Sequence, residues 1–119
     1  MDRQRIGRAA EDAAVAFLES QGLAILIRNF RRRAGELDIV ARHGDDLIIV
    51  EVRTRSSDRF GGAAASVDFR KQARIRRAAD QLLQRVAAWS ALRVRFDVIV
   101  INASGTGKPG VEWIKHAFT

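Results

Sequence analysis

Four consecutive branched residues, Leu47-Ile48-Ile49-Val50, run directly into Glu51-Val52-Arg53. A strand that is apolar on both faces must be covered on both, so this segment reads as a central strand with other structure packed above and below it. The preceding His43-Gly44-Asp45-Asp46 is a turn signal, and 36–42 is a second extended run, which makes a hairpin. With Gly44 and Asp45 as the two loop residues, the antiparallel register sets Asp38 opposite Glu51 and Glu36 opposite Arg53. Alternation then puts all four on one face, with Val40 and Ile49 further along it.

The remaining segments surround this hairpin. Before it, Ala9, Ala10, Ala13, Ala14, Phe17 and Leu18 recur at helical spacing from Ile6 until Gly22, and 23–31 reads as a strand separated from the hairpin by Ala34-Gly35. After it, 54–67 shifts to Ser, Gly, Ala and Arg around Gly61-Gly62, which reads as a mobile surface loop. Asp68 is placed to cap a second helix through about Trp89, with Ile75, Ala78, Ala79, Leu82, Leu83 and Val86 inside and Arg70, Arg74, Arg77 and Arg85 outside. Residues 94–101 predict a fourth strand, 104–110 a turn-rich connection holding Pro109, and 111–118 a fifth strand. Helix, three strands, helix and two strands make a mixed sheet packed by helices, and 119 residues hold one such domain.

The charge balance narrows the chemistry. Twenty-one Lys and Arg against 14 Asp and Glu give a net charge of +7, and the default partner of so basic a chain is a polyanion, nucleic acid first. There is no cysteine and only two histidines, so a metal must be held mainly by carboxylates. No apolar run approaches the roughly 20 residues of a bilayer span, and Met1-Asp2-Arg3-Gln4-Arg5 does not begin a signal peptide, so a cytoplasmic protein with no membrane partner is expected.

Opposed like charges destabilise a sheet unless a cation or a guanidinium compensates. A divalent ion satisfies Asp38 and Glu51 together, and Mg²⁺ takes one or two carboxylates, waters and phosphate oxygens, which points to a phosphodiester-cleaving site. The competing reading is structural: Glu36 with Arg53, and Asp38 with a basic neighbour, as surface ion pairs on a solvated face. Against it, the acids interrupt strands otherwise apolar on both faces. Glu11, about 120° from the centre of the first helix's apolar stripe, can reach the same cleft or remain a solvated helix residue. Asp97 reads as half of a structural ion pair.

These residues also carry a resemblance. Gly7 with Glu11, Asn29-Phe30-Arg31, Gly35-Glu36-Leu37-Asp38, Val50-Glu51-Val52-Arg53-Thr54-Arg55, Lys71, Arg95-Phe96-Asp97-Val98 and Glu112-Trp113-Ile114 together resemble the YraN family of small bacterial proteins, over 7–118. That family is similar to archaeal Holliday-junction resolvases and to the restriction-endonuclease-like, PD-(D/E)xK proteins. The resemblance implies an α/β fold, a mixed β-sheet flanked by helices in the order αβββαββ, with a Mg²⁺- or Mn²⁺-dependent nuclease site at the hairpin. It implies Asp38 and Glu51 as metal-binding acids, the Val52 carbonyl as a further ligand, and Glu11 as the helix glutamate of the resolvase-like branch. Arg53 stands where the pattern has lysine. A guanidinium, with its pKa above about 12, stabilises charge on the phosphate but takes no proton, leaving a metal-bound hydroxide to supply the nucleophile.

Basic residues flank the acids in sequence: Arg28 and Arg31-Arg32-Arg33 before the hairpin, Arg53, Arg55 and Arg59 after it, and Arg70, Lys71, Arg74, Arg76 and Arg77 on the second helix. They suit a track for a phosphate backbone, with Lys71 placed to contact phosphate or to substitute for the missing lysine. Phe17, Phe30, Phe96 and Trp89 fall on core positions, so recognition of duplex or branched DNA by shape is expected over base stacking. The sequence thus supports a metal-dependent DNA endonuclease, with a non-catalytic nucleic-acid-binding module as the alternative. By analogy with resolvases, a homodimer is expected.

Overall fold

The computed structural model describes residues 3–55, 66–102 and 110–119. Most of the loop read over 54–67, with Arg59, and the connection with Pro109 lie outside these residues. Helix α1 (Arg3–Ser20) leads through Gly22 into β1 (Ala24–Arg32), β2 (Gly35–His43) and β3 (Asp46–Arg55). Helix α2 (Phe69–Arg85) follows, then a 3₁₀ segment (Ala87–Ala91), β4 (Arg93–Asn102) and β5 (Gly110–Phe118). The five strands form one sheet in sequence order, antiparallel throughout except for the parallel β3–β4 pair. Parallel neighbours require a crossover, and α2 with the 3₁₀ segment supplies it.

The central position of β3 follows from its composition. Leu47 and Ile49 turn to the α2 side with Val40, Val98, Val100, Ile75 and Leu82. Ile48 and Val50 turn to the α1 side with Ile39, Ile99, Ile101, Ala14 and Leu18. Each face thus buries its own apolar layer, and neither helix alone closes the core.

The expected hairpin register is the observed one: His43 pairs with Asp46 and Ile39 with Val50, and Gly44 takes φ 61° at the first turn position, as a type II′ turn requires. Two expectations are corrected. The second helix does not run through Trp89: Val86 leaves helical geometry at φ −120°, ψ 82°, and the following 3₁₀ turn brings Trp89 onto the α2-side core. Nor do Glu36, Asp38, Glu51 and Arg53 share one face. Leu37 packs with Val40 on the α2 side while Ile39 and Ala41 face α1, so alternation breaks between Leu37 and Val40, where the β2–β3 ladder has ended at Ile39 and Val50.

Candidate active site at the open end of the hairpin

Where the ladder ends, a side chain replaces it. The Val52 N–H donates to Asp38 Oδ2 at 2.8 Å, which holds the Asp38 carboxyl between the parting strands. There it comes close to the Glu51 carboxyl. Glu51 is buried, only 5% exposed. Burial first, then the hydrogen bond and charge of Glu51, push the Asp38 carboxyl up to about 8, against the opposing pull of the Val52 N–H and Lys71. Two acids this close cannot both ionise cheaply.

Two cations address Glu51 from different elements. Lys71 Nζ, reaching down from the first turn of α2, stands 3.0 Å from Glu51 Oε2. Arg53 Nε, on the same strand, stands 3.5 Å from that oxygen and is buried without a well-aligned acceptor. Lys71 gets there because Asp68 caps α2, accepting from the Lys71 N–H at 2.8 Å, and because Gly35 lets the helix come close. A Cβ at position 35 would lie 2.5 Å from the Arg74 carbonyl oxygen. The sequence motif Gly35-Glu36-Leu37-Asp38 thus begins with the residue that lets α2 approach and ends with the acid of the site.

Two clefts open near these residues, Asp38 lining the first and Lys71 the second. One of about 720 Å³ on the α1 side is lined by Glu11, Asn29, Arg31, Glu36, Asp38 and Arg53 among others. The other, about 450 Å³ on the α2 side, is lined by Arg31, Arg32, Arg33, Glu36, Lys71 and Arg74 together with Gly35 and Ile75. Glu11 therefore does share a cleft with Asp38, and is held there: Arg28 Nε donates to its Oε1 at 2.9 Å and Asn29 Nδ2 at 3.0 Å. Asn29 makes that contact from a left-handed backbone, φ 57°, a conformation asparagine tolerates better than most residues.

Other sequence-predicted residues fall elsewhere. Glu36 lies opposite Arg31 across β1 and β2 and pairs with it at 3.5 Å, rather than with Arg53. Arg28 is committed to Glu11 and Asp12 and leaves the basic track. Arg55, 16% exposed in its side chain, turns to Glu112 at 3.8 Å, whereas Arg31, Arg32, Arg33, Arg70 and Arg74 are exposed. Asp97 is fully buried in the structural ion pair expected of it, its partner being Arg95 with both contacts at 2.9 Å. It also accepts from Trp113 Nε1 at 2.8 Å and the His116 N–H at 3.0 Å.

The donor chemistry fits a hard divalent cation: two carboxyl groups stand together beside a backbone carbonyl, all oxygen donors. Among the described residues no group of three or more His, Asp or Glu gathers. Asp38 and Glu51 would therefore hold such an ion with the Val52 carbonyl, water and substrate oxygens.

A mixed five-stranded sheet between helices, with paired acids where the hairpin opens, defines an α/β protein of a topology compatible with restriction-endonuclease-like proteins. The chain belongs to the uncharacterised protein family UPF0102, whose sequence model matches residues 10–101 and which is the YraN family. It is similar to a UPF0102 protein of Hahella chejuensis, 48% identical over 114 residues, covering 96% of this chain and 90% of the relative. A UPF0102 protein of Pseudomonas savastanoi is 45% identical over 116 residues, covering 98% and 94%, and one of Pseudomonas aeruginosa 44% over 113 residues, covering 94% and 90%.

Proposed function

We propose that the chain is a metal-dependent endonuclease that hydrolyses phosphodiester bonds in duplex or branched DNA. One observation carries this reading: Asp38, held by the Val52 N–H, lines an arginine-lined cleft beside Glu51, which an ammonium addresses at 3.0 Å. A purely structural pair of acids is expensive to bury, and the pattern of neighbouring groups matches what phosphoryl transfer needs.

In this reading Asp38, Glu51 and the Val52 carbonyl hold Mg²⁺ or Mn²⁺, which when bound supplies a water of lowered pKa and charge for the phosphate. Arg31, Arg32, Arg33, Arg70 and Arg74 draw the anionic backbone across the α2-side cleft. Lys71, which faces Glu51 at 3.0 Å, would donate to the scissile phosphate in place of the expected lysine. Arg53 remains a fixed positive charge beside it and takes no proton. Glu11, clamped by Arg28 and Asn29, borders the cleft into which Asp38 opens. A cytoplasmic location follows from DNA as the substrate, and a homodimer would present two such sites to one branched molecule.

The alternative, a nucleic-acid-binding module without catalysis, has its own observation in favour. Lys71 and Arg53 already face Glu51 and the Val52 N–H donates to Asp38, so both acids have partners without a metal. Cleavage of branched, duplex and single-stranded DNA in Mg²⁺ or Mn²⁺ separates the two. For the nuclease, Asp38→Asn abolishes cleavage, Lys71→Ala lowers it about a hundredfold and Arg53→Lys keeps or raises it. DNA binding with no cleavage by the wild type or Arg53→Lys decides for the module.

No described helix is long and apolar enough to cross a membrane.

A further inference from the structure

Arg31 and Glu36 are the two residues that line both clefts. They face each other across β1 and β2, so the clefts on the two sides of the sheet meet at this ion pair. Glu36 also differs from the other acids of the clefts in where its partner lies. Glu11 is held by Arg28, a cation that lines neither cleft, together with Asn29. Asp38 accepts from the Val52 N–H. Glu36 alone is paired with a cation of the clefts themselves, and it is the one carboxylate lining the α2-side cleft, among Arg31, Arg32, Arg33, Lys71 and Arg74.

The pair is built to part. Its two side chains are 72% and 50% exposed, and its 3.5 Å separation exceeds the roughly 2.7–2.9 Å of a close charge-assisted contact. Such an exposed pair contributes little, because water screens it and two long side chains lose freedom in forming it. A guanidinium matches a phosphate as well as a carboxylate, with two parallel N–H donors. An anion drawn to the cations on either side therefore competes with Glu36 for Arg31. On the α1 side those cations are Arg8 and Arg53. A chain of phosphates is the anion that reaches both sets at once.

We propose that Arg31 is the phosphate contact at which a nucleic-acid strand passes from the α2-side cleft into the α1-side cleft that Asp38 lines, and that Glu36 is its internal competitor, an anion the strand must displace. The proposal rests on the nucleic-acid reading above and adds the path of the backbone and the residue that limits its affinity.

The test is DNA binding by the full chain in a double-mutant cycle, across a salt titration. Glu36→Gln is expected to tighten binding about fivefold at 50 mM salt, the most an exposed pair is worth. It also steepens the salt dependence, since no carboxylate is left behind to take up a cation. On an Arg31→Ala background the same change moves affinity less than twofold. Asp46→Asn makes an equal change in net charge by freeing Arg93 at the far end of β3, and leaves affinity within twofold. Arg8→Ala and Arg74→Ala, one exposed cation from each cleft, both weaken binding and flatten its salt dependence. No gain from Glu36→Gln, or the same gain with and without Arg31, overturns the competition. A loss at only one of Arg8 and Arg74 overturns the passage between clefts. A wild type that binds no DNA overturns the nucleic-acid reading itself, whereas one that binds beside an unchanged Glu36→Gln overturns only this proposal.

Discussion

Two aspartates in the same sheet show how surroundings decide what a side chain can do. Asp97 is closed in by two guanidinium N–H groups, an indole N–H and a backbone N–H, so its charge is fully matched and it ties β4 to β5. Asp38 has one backbone donor and faces another acid. Its folded-state carboxyl, at about 8, lies above its ordinary value of 3.8, so between these pH values the native state keeps a proton that the unfolded chain has lost. Stability from this group is therefore greatest below about pH 4 and falls as pH rises towards 8. Asp38→Asn, which copies the protonated form, should remove that slope and raise stability at pH 8 by about 2 kcal/mol. Urea denaturation of both proteins at pH 5 and pH 8 checks it, and Mg²⁺ should narrow the difference by stabilising the ionised wild type. That the two acids lie at the same level of the hairpin was legible in the sequence from the turn residues; the upward shift of Asp38 was not, since it depends on how deeply the strands and α2 bury the pair.

At the scale of elements, the site exists because α2 lies close against the hairpin. Gly35 makes this approach possible: any Cβ there meets the Arg74 carbonyl, a backbone atom that cannot rotate away. Gly35→Ala should push α2 outward, costing about 1–3 kcal/mol with an unchanged urea m-value, and should separate Lys71 from Glu51. Denaturation together with nuclease or DNA-binding assays would register both effects, whereas a variant of wild-type stability and activity would show that the contact is dispensable. The helix itself was readable from its apolar period and from Asp68 as cap, and the two hairpin strands from their turn. What periodicity missed was the break in alternation between Leu37 and Val40, because a ladder that stops early leaves no mark in composition.

Across the whole molecule the positive charge is unevenly employed. Arg28, Arg95 and Arg55 face acids of the fold itself, while Arg32, Arg33, Arg70 and Arg74 stay exposed, as does Arg31 despite its pairing with Glu36. If four of these five contact phosphates, DNA affinity should fall with a log–log salt slope of about −3.6, roughly a hundredfold between 50 and 200 mM salt. A slope near zero in a binding titration would remove the case for a backbone track. The sequence by itself determined the order of elements, the central strand, the hairpin register and a net charge that calls for a polyanion, because periodicity, turn chemistry and charge are local or additive properties. Only the tertiary structure decided which cations serve the fold, that Glu36 pairs with Arg31 and that Lys71 reaches Glu51. Each of these depends on the distance between segments far apart in the chain, and that distance is set by how α1 and α2 pack on the two faces of one sheet.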